Sequence, residues 1–267
     1  MISDTRIRTL ARQDGVTAGL AEKNYVNSWV LYAIYTSDIG DDLVFKGGTA
    51  LSKLYFPDVW RFSEDLDFTA QDQNMIPSDI EDALHAIEAA SGIQFELRNV
   101  HQAGEPVEYI QIDIQYDAIL AQRNRTRLDI TTNEQLAFET ETHKHAFEDI
   151  PQFEVEAYSI EEILVEKTRS LFQRARARDY YDIYQLLDLE DFASEQLVNA
   201  LHEKSEQQGV VIDLDGGIPE EDIIDVSNYW ERGLDRLVSD LPEFNLVIGR
   251  IDEYLRELAE IQESSSH

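Results

Sequence analysis

Two aspartates separated by a single residue, Asp65 and Asp67, have the type and spacing that most directly suggest chemistry in this chain. In an extended strand, side chains alternate between faces, so both carboxylates would project from one face. Carboxylates that close together repel unless a cation neutralises them, and oxygen ligands of this kind suit Mg²⁺. The alternative is a pair of solvated surface acids, a common position for aspartate. We favour a magnesium site with Asp65 and Asp67 as its ligands.

The segment that precedes this pair, LVFKGGTALSKLY, indicates a strand, a turn and a helix. The strand is predicted over Leu43–Lys46, the turn at Gly47 and Gly48, and the helix from Thr49. Residues without a Cβ allow a phosphate to approach the backbone at the N-terminus of a helix. Substrate phosphates usually complete the coordination of Mg²⁺. Phosphates and metal would therefore meet at this corner.

The two segments together, KGGTALSKLY followed by RFSEDLDF, closely resemble the AbiEii/AbiGii family of toxin nucleotidyltransferases, which belongs to the polymerase-β-type superfamily. The resemblance continues more loosely to about Leu187. It implies an α+β fold, in which a nucleotidyltransferase-type mixed sheet with flanking helices is followed by a C-terminal helical domain. It also implies a Mg²⁺-dependent enzyme that moves a nucleotide from an NTP to an acceptor, for which an RNA such as tRNA is a candidate, and a cognate winged-helix antitoxin.

A third carboxylate is expected near the attacking hydroxyl, opposite the acids that hold the metal. Alternating residues predict strands over 94–100, 107–116 and 125–131, and the last two would form a hairpin. Asp129 in RLDIT and Asp113 in IQIDIQ both fit the pattern. The resemblance favours Asp129, because family members place the third acid on the second strand of such a hairpin.

The second informative stretch is SIEEILVEKTRSLFQRARARDYYDIYQLL. Ser159 and Glu162 form a capping-box pattern at the start of a helix. Cations cluster after it, although cations are scarce elsewhere, which indicates a negative group opposite; a solvated helix face is the alternative. The clustered cations are Lys167, Arg169, Arg174, Arg176 and Arg178.

The resemblance assigns roles within this stretch. Lys167 would neutralise the triphosphate, and Asp182 would orient the triphosphate or the incoming hydroxyl. The complete predicted set is as follows: catalytic Asp65, Asp67, Asp129, Lys167 and Asp182; nucleotide-binding Lys46, Gly47, Gly48, Thr49, Lys53, Lys167, Arg178 and Asp179; metal-binding Asp65 and Asp67.

The charge balance is extreme, with 54 acidic against 22 basic residues and a formal net charge of -32. An acidic, lysine-poor chain with 43% apolar residues favours adaptation to a salt-rich, halophilic cytoplasm, where salt screens such a field. A nucleic-acid substrate is therefore not excluded by the net charge. The absence of cysteine excludes disulfides and thiolate metal sites.

We predict a nucleotidyltransferase domain over residues 1–155 and a helical domain over 156–267 that contributes basic residues to the cleft. Pro151 and the acidic residues after it suggest a linker, so we place the domain boundary near them. His143 and His145, two residues apart, would share one face of a strand, an arrangement that could bind a metal. The N-terminus has no signal-peptide pattern and no apolar run is long enough for a bilayer, so a soluble cytoplasmic protein without membrane association is expected.

A second hypothesis belongs to another functional class. The same groove could hold nucleotide or RNA without catalysis, which would make the chain a silent binding module of the same fold. Transfer of a labelled nucleotide distinguishes the two hypotheses.

Overall fold

The computed structural model describes residues 1–57, 61–71, 77–189, 192–238 and 240–265. The chain forms two compact units. The first comprises residues 1–134 and 140–158, and the second comprises 135–139 and 159–267. The functional division between residues 155 and 156 stays a prediction.

Among the described residues, seven strands form one mixed sheet in the first unit, in the order β3-β4-β5-β2-β1-β7-β6. The strands are β1 (Leu43–Lys46), β2 (Leu66–Ala70), β3 (Gln94–Ala103), β4 (Tyr109–Asp117), β5 (Asn124–Thr131), β6 (Glu141–Phe147) and β7 (Ile150–Ala157). Strand β1 is antiparallel to β2 and parallel to β7, while β2 is parallel to β5. The predicted mixed sheet is confirmed, and β2, which carries Asp67, is its central strand.

The helices of the first unit are α1 (Asp4–Gln13), α2 (Ala18–Tyr35), α3 (Gly47–Ala50) and α4 (Pro77–Ser91). Helix α2 begins after Thr17, whose hydroxyl accepts the N–H of Leu20. It contacts α1, α4 and the sheet, so it is buried on nearly all sides and carries apolar residues around its whole circumference. Within the described ranges, no helix is both long enough and apolar enough to cross a bilayer.

The prediction of a linker from Pro151 and the acidic residues after it is wrong, because these residues lie in β7, which forms an antiparallel hairpin with β6. Strand β7 lies between β1 and β6, inside the sheet. Its buried side chains, Phe153, Val155 and Ala157, alternate with glutamates, which is the pattern of a strand with one buried face. The glutamates gave the segment the composition of a linker although its period was that of a strand.

The second unit is helical in its described part. Its helices are α5 (Ile160–Leu171), α6 (Ala177–Leu187), α7 (Glu195–Gln207), α8 (Glu220–Leu234) and α9 (Phe244–Ser265). The sequence also predicts a helix over 191–207. Residue 191 lies outside the described residues, and α7 begins at Glu195. The helical character expected for this region is confirmed, since α5 to α9 pack on one another.

Of the two hydrogen bonds in the capping box predicted at the start of α5, one is present. The hydroxyl of Ser159 accepts the N–H of Glu162, as predicted. The carboxylate of Glu162 does not return to the cap; it accepts the backbone N–H groups of Ala137 and Phe138, each at 2.9 Å, and the ammonium of Lys204. Glu162 thereby attaches residues 135–139 to the second unit.

Candidate active site

The acidic residues of the first unit meet through strand register. Asp67 on β2 pairs with Asp129 on β5, and Asp129 pairs with Gln111 on β4. Partners in register point to the same face of a sheet, and neighbouring strands lie about 4.8 Å apart. Asp65, two residues before Asp67, shares that face, although β2 itself begins at Leu66. The structure therefore brings Asp65, Asp67 and Asp129 together.

Asp65 shows the electrostatic effect of this crowding. Burial and the nearby negative charge of Asp129 raise the pKa of its carboxyl, and the opposing charge of Arg127 compensates only in part. The segment is held in place by Thr49, whose buried hydroxyl donates a hydrogen bond to the backbone carbonyl of Asp65. A carboxyl in such surroundings is stabilised by a bound cation.

Asp129 is oriented by two donors. The hydroxyl of Tyr109 and the side-chain amide of Gln111 both donate to its Oδ1, at 2.5 Å and 2.9 Å. Burial and the hydrogen bond to Asp129 raise the pKa of Tyr109, so this hydroxyl remains a donor. Within the described parts of the chain, Oδ2 of Asp129 has no hydrogen-bond partner. One oxygen is thus fixed and the other can bind a proton or a cation.

Asp113, the other candidate for the third carboxylate, has different surroundings. It pairs in register with Arg127, two residues away from Asp129 along β5. It accepts a hydrogen bond from Asn99 at 2.9 Å and lies 3.4 Å and 3.9 Å from the guanidinium groups of Arg127 and Arg125. The hydrogen bond from Asn99 and the charge of Arg127 lower its pKa. Asp113 is an ion-paired residue and is not beside Asp67.

The glycine corner differs from the predicted turn. Helix α3 begins at Gly47 rather than at Thr49, and Gly47 has φ = +76°. A Cβ on Gly47 would lie 2.7 Å from Oδ2 of Asp67, and a Cβ on Gly48 would lie 2.5 Å from Nη2 of Arg61. The positive φ of Gly47 disfavours any residue with a Cβ at that position, and at both glycines a charged side chain of the protein approaches the backbone closely.

The two lysines predicted to bind nucleotide have different positions. Lys46 pairs in register with Asp67, and its ammonium lies 3.1 Å from the hydroxyl of Thr131 and 3.5 Å from the carboxylate of Glu134. Lys53 follows α3 in a single π-turn, Leu51–Tyr55, and its ammonium is buried against α2. The structure therefore brings Lys46, but not Lys53, to the acidic residues.

The surroundings of Lys53 explain its separation from the acids. Its ammonium donates to the carbonyl and the side-chain oxygen of Asn24, at 2.9 Å and 2.6 Å, and to the hydroxyl of Ser28 at 2.8 Å. Burial lowers its pKa to about 7. All three donors of the ammonium are used within the fold.

The carboxylate groups of the acidic residues are suitable ligands for a divalent metal ion. The described residues contain no group of three or more His, Cys, Asp or Glu side chains arranged to hold a metal ion. A site of two carboxylates does not need such a group, because Mg²⁺ keeps waters and substrate phosphates as ligands. The raised pKa of Asp65 and the unpaired oxygen of Asp129 are the features that fit a hard cation.

In the second unit, the predicted residues of α5 and α6 form one ion-pair cluster. The ammonium of Lys167 lies 2.6 Å from Asp182 and 3.4 Å from Asp179, and Arg174 lies 3.1 Å from Asp179. Asp182 is fully buried. The structure therefore brings Lys167, Asp179 and Asp182 together, and much of the predicted cationic character is neutralised within the unit.

The remaining cations of this stretch do not form a uniform basic helix face, because their exposure differs. Arg169 is buried, with Nη1 3.5 Å from the carbonyl of Lys204. Arg178 is partly buried and has an interaction partner. Arg176, at the N-cap of α6, is exposed. The exposed positive charge lies at the loop before α6, at Arg174 and Arg176, rather than along α5.

The family model described as nucleotidyl transferase AbiEii toxin, type IV toxin–antitoxin system, matches residues 29–258. The chain belongs to this family. It is accordingly a nucleotidyltransferase toxin of a toxin–antitoxin system, and the resemblance drawn from the sequence is confirmed.

Solved structures agree with the AbiEii assignment at the level of the fold. MenT4, a nucleotidyltransferase toxin from Mycobacterium tuberculosis, is 18% identical, with a TM-score of 0.72 over 97% of this chain and 90% of that one. JHP933 from Helicobacter pylori is 16% identical, with a TM-score of 0.56 over 94% of this chain and 97% of that one. No curated protein matches the chain.

In this AbiEii protein, His143 and His145 lie on one face of β6 but have separate partners. The ring of His143 meets that of Tyr55 edge to face, with centroids 4.4 Å apart, and its Nε2 lies 3.1 Å from a carboxylate oxygen of Glu141. His145 is buried against Ser28, and burial lowers its pKa to about 3. Both histidines have structural contacts, and neither belongs to a metal group among the described residues.

Sequence reasoning missed two residues of the AbiEii site. Tyr109 orients Asp129, and Arg61 contacts the glycine corner. Arg61 had a sequence signal, because it stands inside RFSEDLDF in a chain with few cations. Tyr109 had none, because its role depends on the pairing of β4 with β5.

Proposed function

We propose that this AbiEii toxin is a Mg²⁺-dependent enzyme that transfers a nucleotide from an NTP to an RNA acceptor, for which tRNA is the first candidate. The observation that carries the proposal is the parallel register of Asp67 with Asp129, which groups three carboxylates on one face of the sheet. Family membership supports the class of reaction. An RNA acceptor would place the reaction in the cytoplasm, as expected from the sequence.

In the proposed reaction, Asp65 and Asp67 hold the metal, and Gly47, Gly48 and Thr49 receive the phosphates. Bound Mg²⁺ would supply charge neutralisation on the phosphate oxygens. An acceptor hydroxyl gives its proton to Oδ2 of Asp129, and its oxygen forms a bond with the α-phosphorus of the NTP. The bond from the α-phosphorus to the bridging oxygen breaks, and pyrophosphate leaves.

The second unit contributes electrostatic stabilisation in this proposal. Following the family resemblance, Lys167 neutralises charge on the phosphates, and Asp182 orients the triphosphate or the incoming hydroxyl. The 2.6 Å ion pair between Asp182 and Lys167 supports an additional role for Asp182, to orient Lys167. Arg178 and Asp179 complete the proposed nucleotide-binding set, together with Lys46. Lys53 is retained only as a prediction, since its contacts to α2 occupy its donors.

The experiment uses purified protein in high salt with magnesium, the four α-³²P-labelled NTPs one at a time, and total RNA or tRNA. The matched variants are Asp67→Asn and Asp113→Asn, which make the same chemical change on one face of the sheet. We expect label transfer by the wild type and by Asp113→Asn, and none by Asp67→Asn. Binding of nucleotide without transfer for every NTP and RNA would identify a silent binding module instead.

The antitoxin partner follows from family membership, and its winged-helix type is a further proposal from the resemblance. Co-expression with the product of the adjacent open reading frame tests it. We expect that product to restore growth of cells that express the toxin. No restoration by a winged-helix neighbour would contradict this part of the proposal.

A further inference from the structure

Arg61 has an unusual position for a cation, and no role in the reaction described above depends on it. Its side chain is 4% exposed. Its Nη2 and Cζ lie 2.5 Å and 3.2 Å from the point where a Cβ of Gly48 would be, and its Nη1 donates to the carbonyl of Phe62 at 3.2 Å. The guanidinium therefore packs directly on the backbone of the second residue of α3.

The neighbouring residue of α3 has the opposite charge beside it. At Gly47, the position of the missing Cβ lies 2.7 Å from Oδ2 of Asp67, which is a proposed metal ligand. Two consecutive glycines thus contact a carboxylate on β2 and a guanidinium from the segment that leads into β2. Since a guanidinium stays charged at all relevant pH values, Arg61 places a permanent positive charge at the corner where phosphates are expected.

We propose that Arg61 is a positioning residue for nucleotidyl transfer, which fixes Gly47 and Gly48 of α3 relative to Asp67 through its close contact with Gly48. This inference rests on the proposed function. The contact uses two nitrogens of one rigid group, since Nη2 lies against Gly48 while Nη1 donates to the carbonyl of Phe62. Lysine has the charge but only one nitrogen, so it cannot make both contacts.

Three variants test the contact. Arg61→Met removes the guanidinium, Arg61→Lys keeps a charge on a single nitrogen, and Gly48→Ala places a methyl group where Nη2 lies. We expect each single variant to lower kcat/KM for transfer by about 100-fold. We expect the double variant Gly48→Ala, Arg61→Met to lose no more than about 100-fold, because both changes disrupt one contact. The matched control is Arg98→Met, an exposed arginine of β3 paired with Glu96, which should retain wild-type kinetics.

The measured quantities separate a positioning role from a structural one. Kinetics are measured on protein whose folded fraction is established by thermal unfolding, and kcat and KM are determined separately. A structural role would lower the unfolding temperature while the folded protein kept its wild-type kcat and KM. If Arg61→Met is poorly folded, the test uses Gly48→Ala and Arg61→Lys instead, since both keep a cationic side chain at position 61.

Binding of a nucleotide analogue that cannot transfer, an α,β-methylene NTP with magnesium, is measured in parallel by titration. Absence of both binding and transfer by the wild type would contradict the proposed function as well. If the wild type transfers the nucleotide and Arg61→Met has a kcat/KM within twofold of the wild-type value, the inference on Arg61 is overturned while the proposed function stands. A double variant that loses about 10,000-fold, the product of two independent effects, would also overturn it.

Discussion

The carboxylates of Asp67 and Asp129 lie side by side because strands β2 and β5 are parallel neighbours and pair these two residues in register. The pairing connects residues that are distant in the chain, and Tyr109 and Gln111 of the next strand orient Asp129 from its other side. A shift of one residue in this register would move Asp129 to the opposite face. The candidate site therefore depends on how the central strands pair.

The first prediction concerns the third carboxylate. Asp129→Asn should lower kcat of transfer by roughly 100-fold or more, as expected for loss of a general base. Asp113→Asn should keep kcat near the wild type, because Asp113 is paired with Arg127 and Asn99. Steady-state kinetics with saturating NTP provide the measurement. The reverse ranking of the two variants would make Asp113 the third carboxylate.

The second prediction concerns stability without a divalent cation. The raised pKa of Asp65 means that its charged form is disfavoured in the folded state, so its contribution to stability is present at low pH and lost as pH rises. At neutral pH, Asp65→Asn should therefore raise the unfolding temperature in EDTA. Added Mg²⁺ should stabilise the wild type and have less effect on the variant.

Asp113→Asn is the control for this measurement, and its expected change in unfolding temperature has the opposite sign. Its pKa is lowered, so its contribution to stability is present above the unfolded value of 3.8 and lost as pH falls through the folded value. Asp113→Asn should lower the unfolding temperature in EDTA at neutral pH. An equal effect of both substitutions would show that crowding with Asp129 does not govern Asp65.

The third prediction concerns Lys53, whose buried ammonium has a pKa of about 7 against an unfolded value of 10.5. Between these values the unfolded chain binds more protons than the folded one, so the free energy of unfolding rises with pH. The slope from this group is at most about 1.4 kcal/mol per pH unit. Urea unfolding at constant salt between pH 7 and pH 10 should show that slope in the wild type and its loss in Lys53→Met.

Lys144→Met provides the matched control, because Lys144 is an exposed lysine on β6. This variant should keep the pH dependence of the wild type. Parallel pH profiles for Lys53→Met and the wild type would argue that the burial of Lys53 has no effect on its titration.

The fourth prediction concerns the ion pair of Glu162 and Lys204 in the second unit, where both side chains are at most 2% exposed. Lys204→Met leaves a buried carboxylate without its cation and should destabilise by about 3–5 kcal/mol. Adding Glu162→Gln should recover part of this loss, because a neutral amide is less costly to bury. The free energy of unfolding in urea measures both steps. A double variant no more stable than Lys204→Met would contradict the ion-pair explanation.

Local patterns in the sequence were sufficient for several elements. The strand Leu43–Lys46 was predicted with its observed bounds, and the strands predicted over 94–100, 107–116 and 125–131 correspond to β3, β4 and β5. The strand β7 was missed, because its glutamates gave the segment the composition of a linker. Composition and period conflicted there, and the period was correct.

The sequence by itself determined the family and the acidic pair. It also predicted that Asp65 and Asp67 lie on the same face of a strand. These features depend on local spacing along the chain. Only the tertiary structure decided which distant acid joins them, because Asp113 and Asp129 have equivalent local patterns and differ only in strand pairing. It also decided that Asp67 and Arg61 closely approach the two glycines of the corner. Contacts between residues far apart in the chain arise from packing, which local periodicity does not encode.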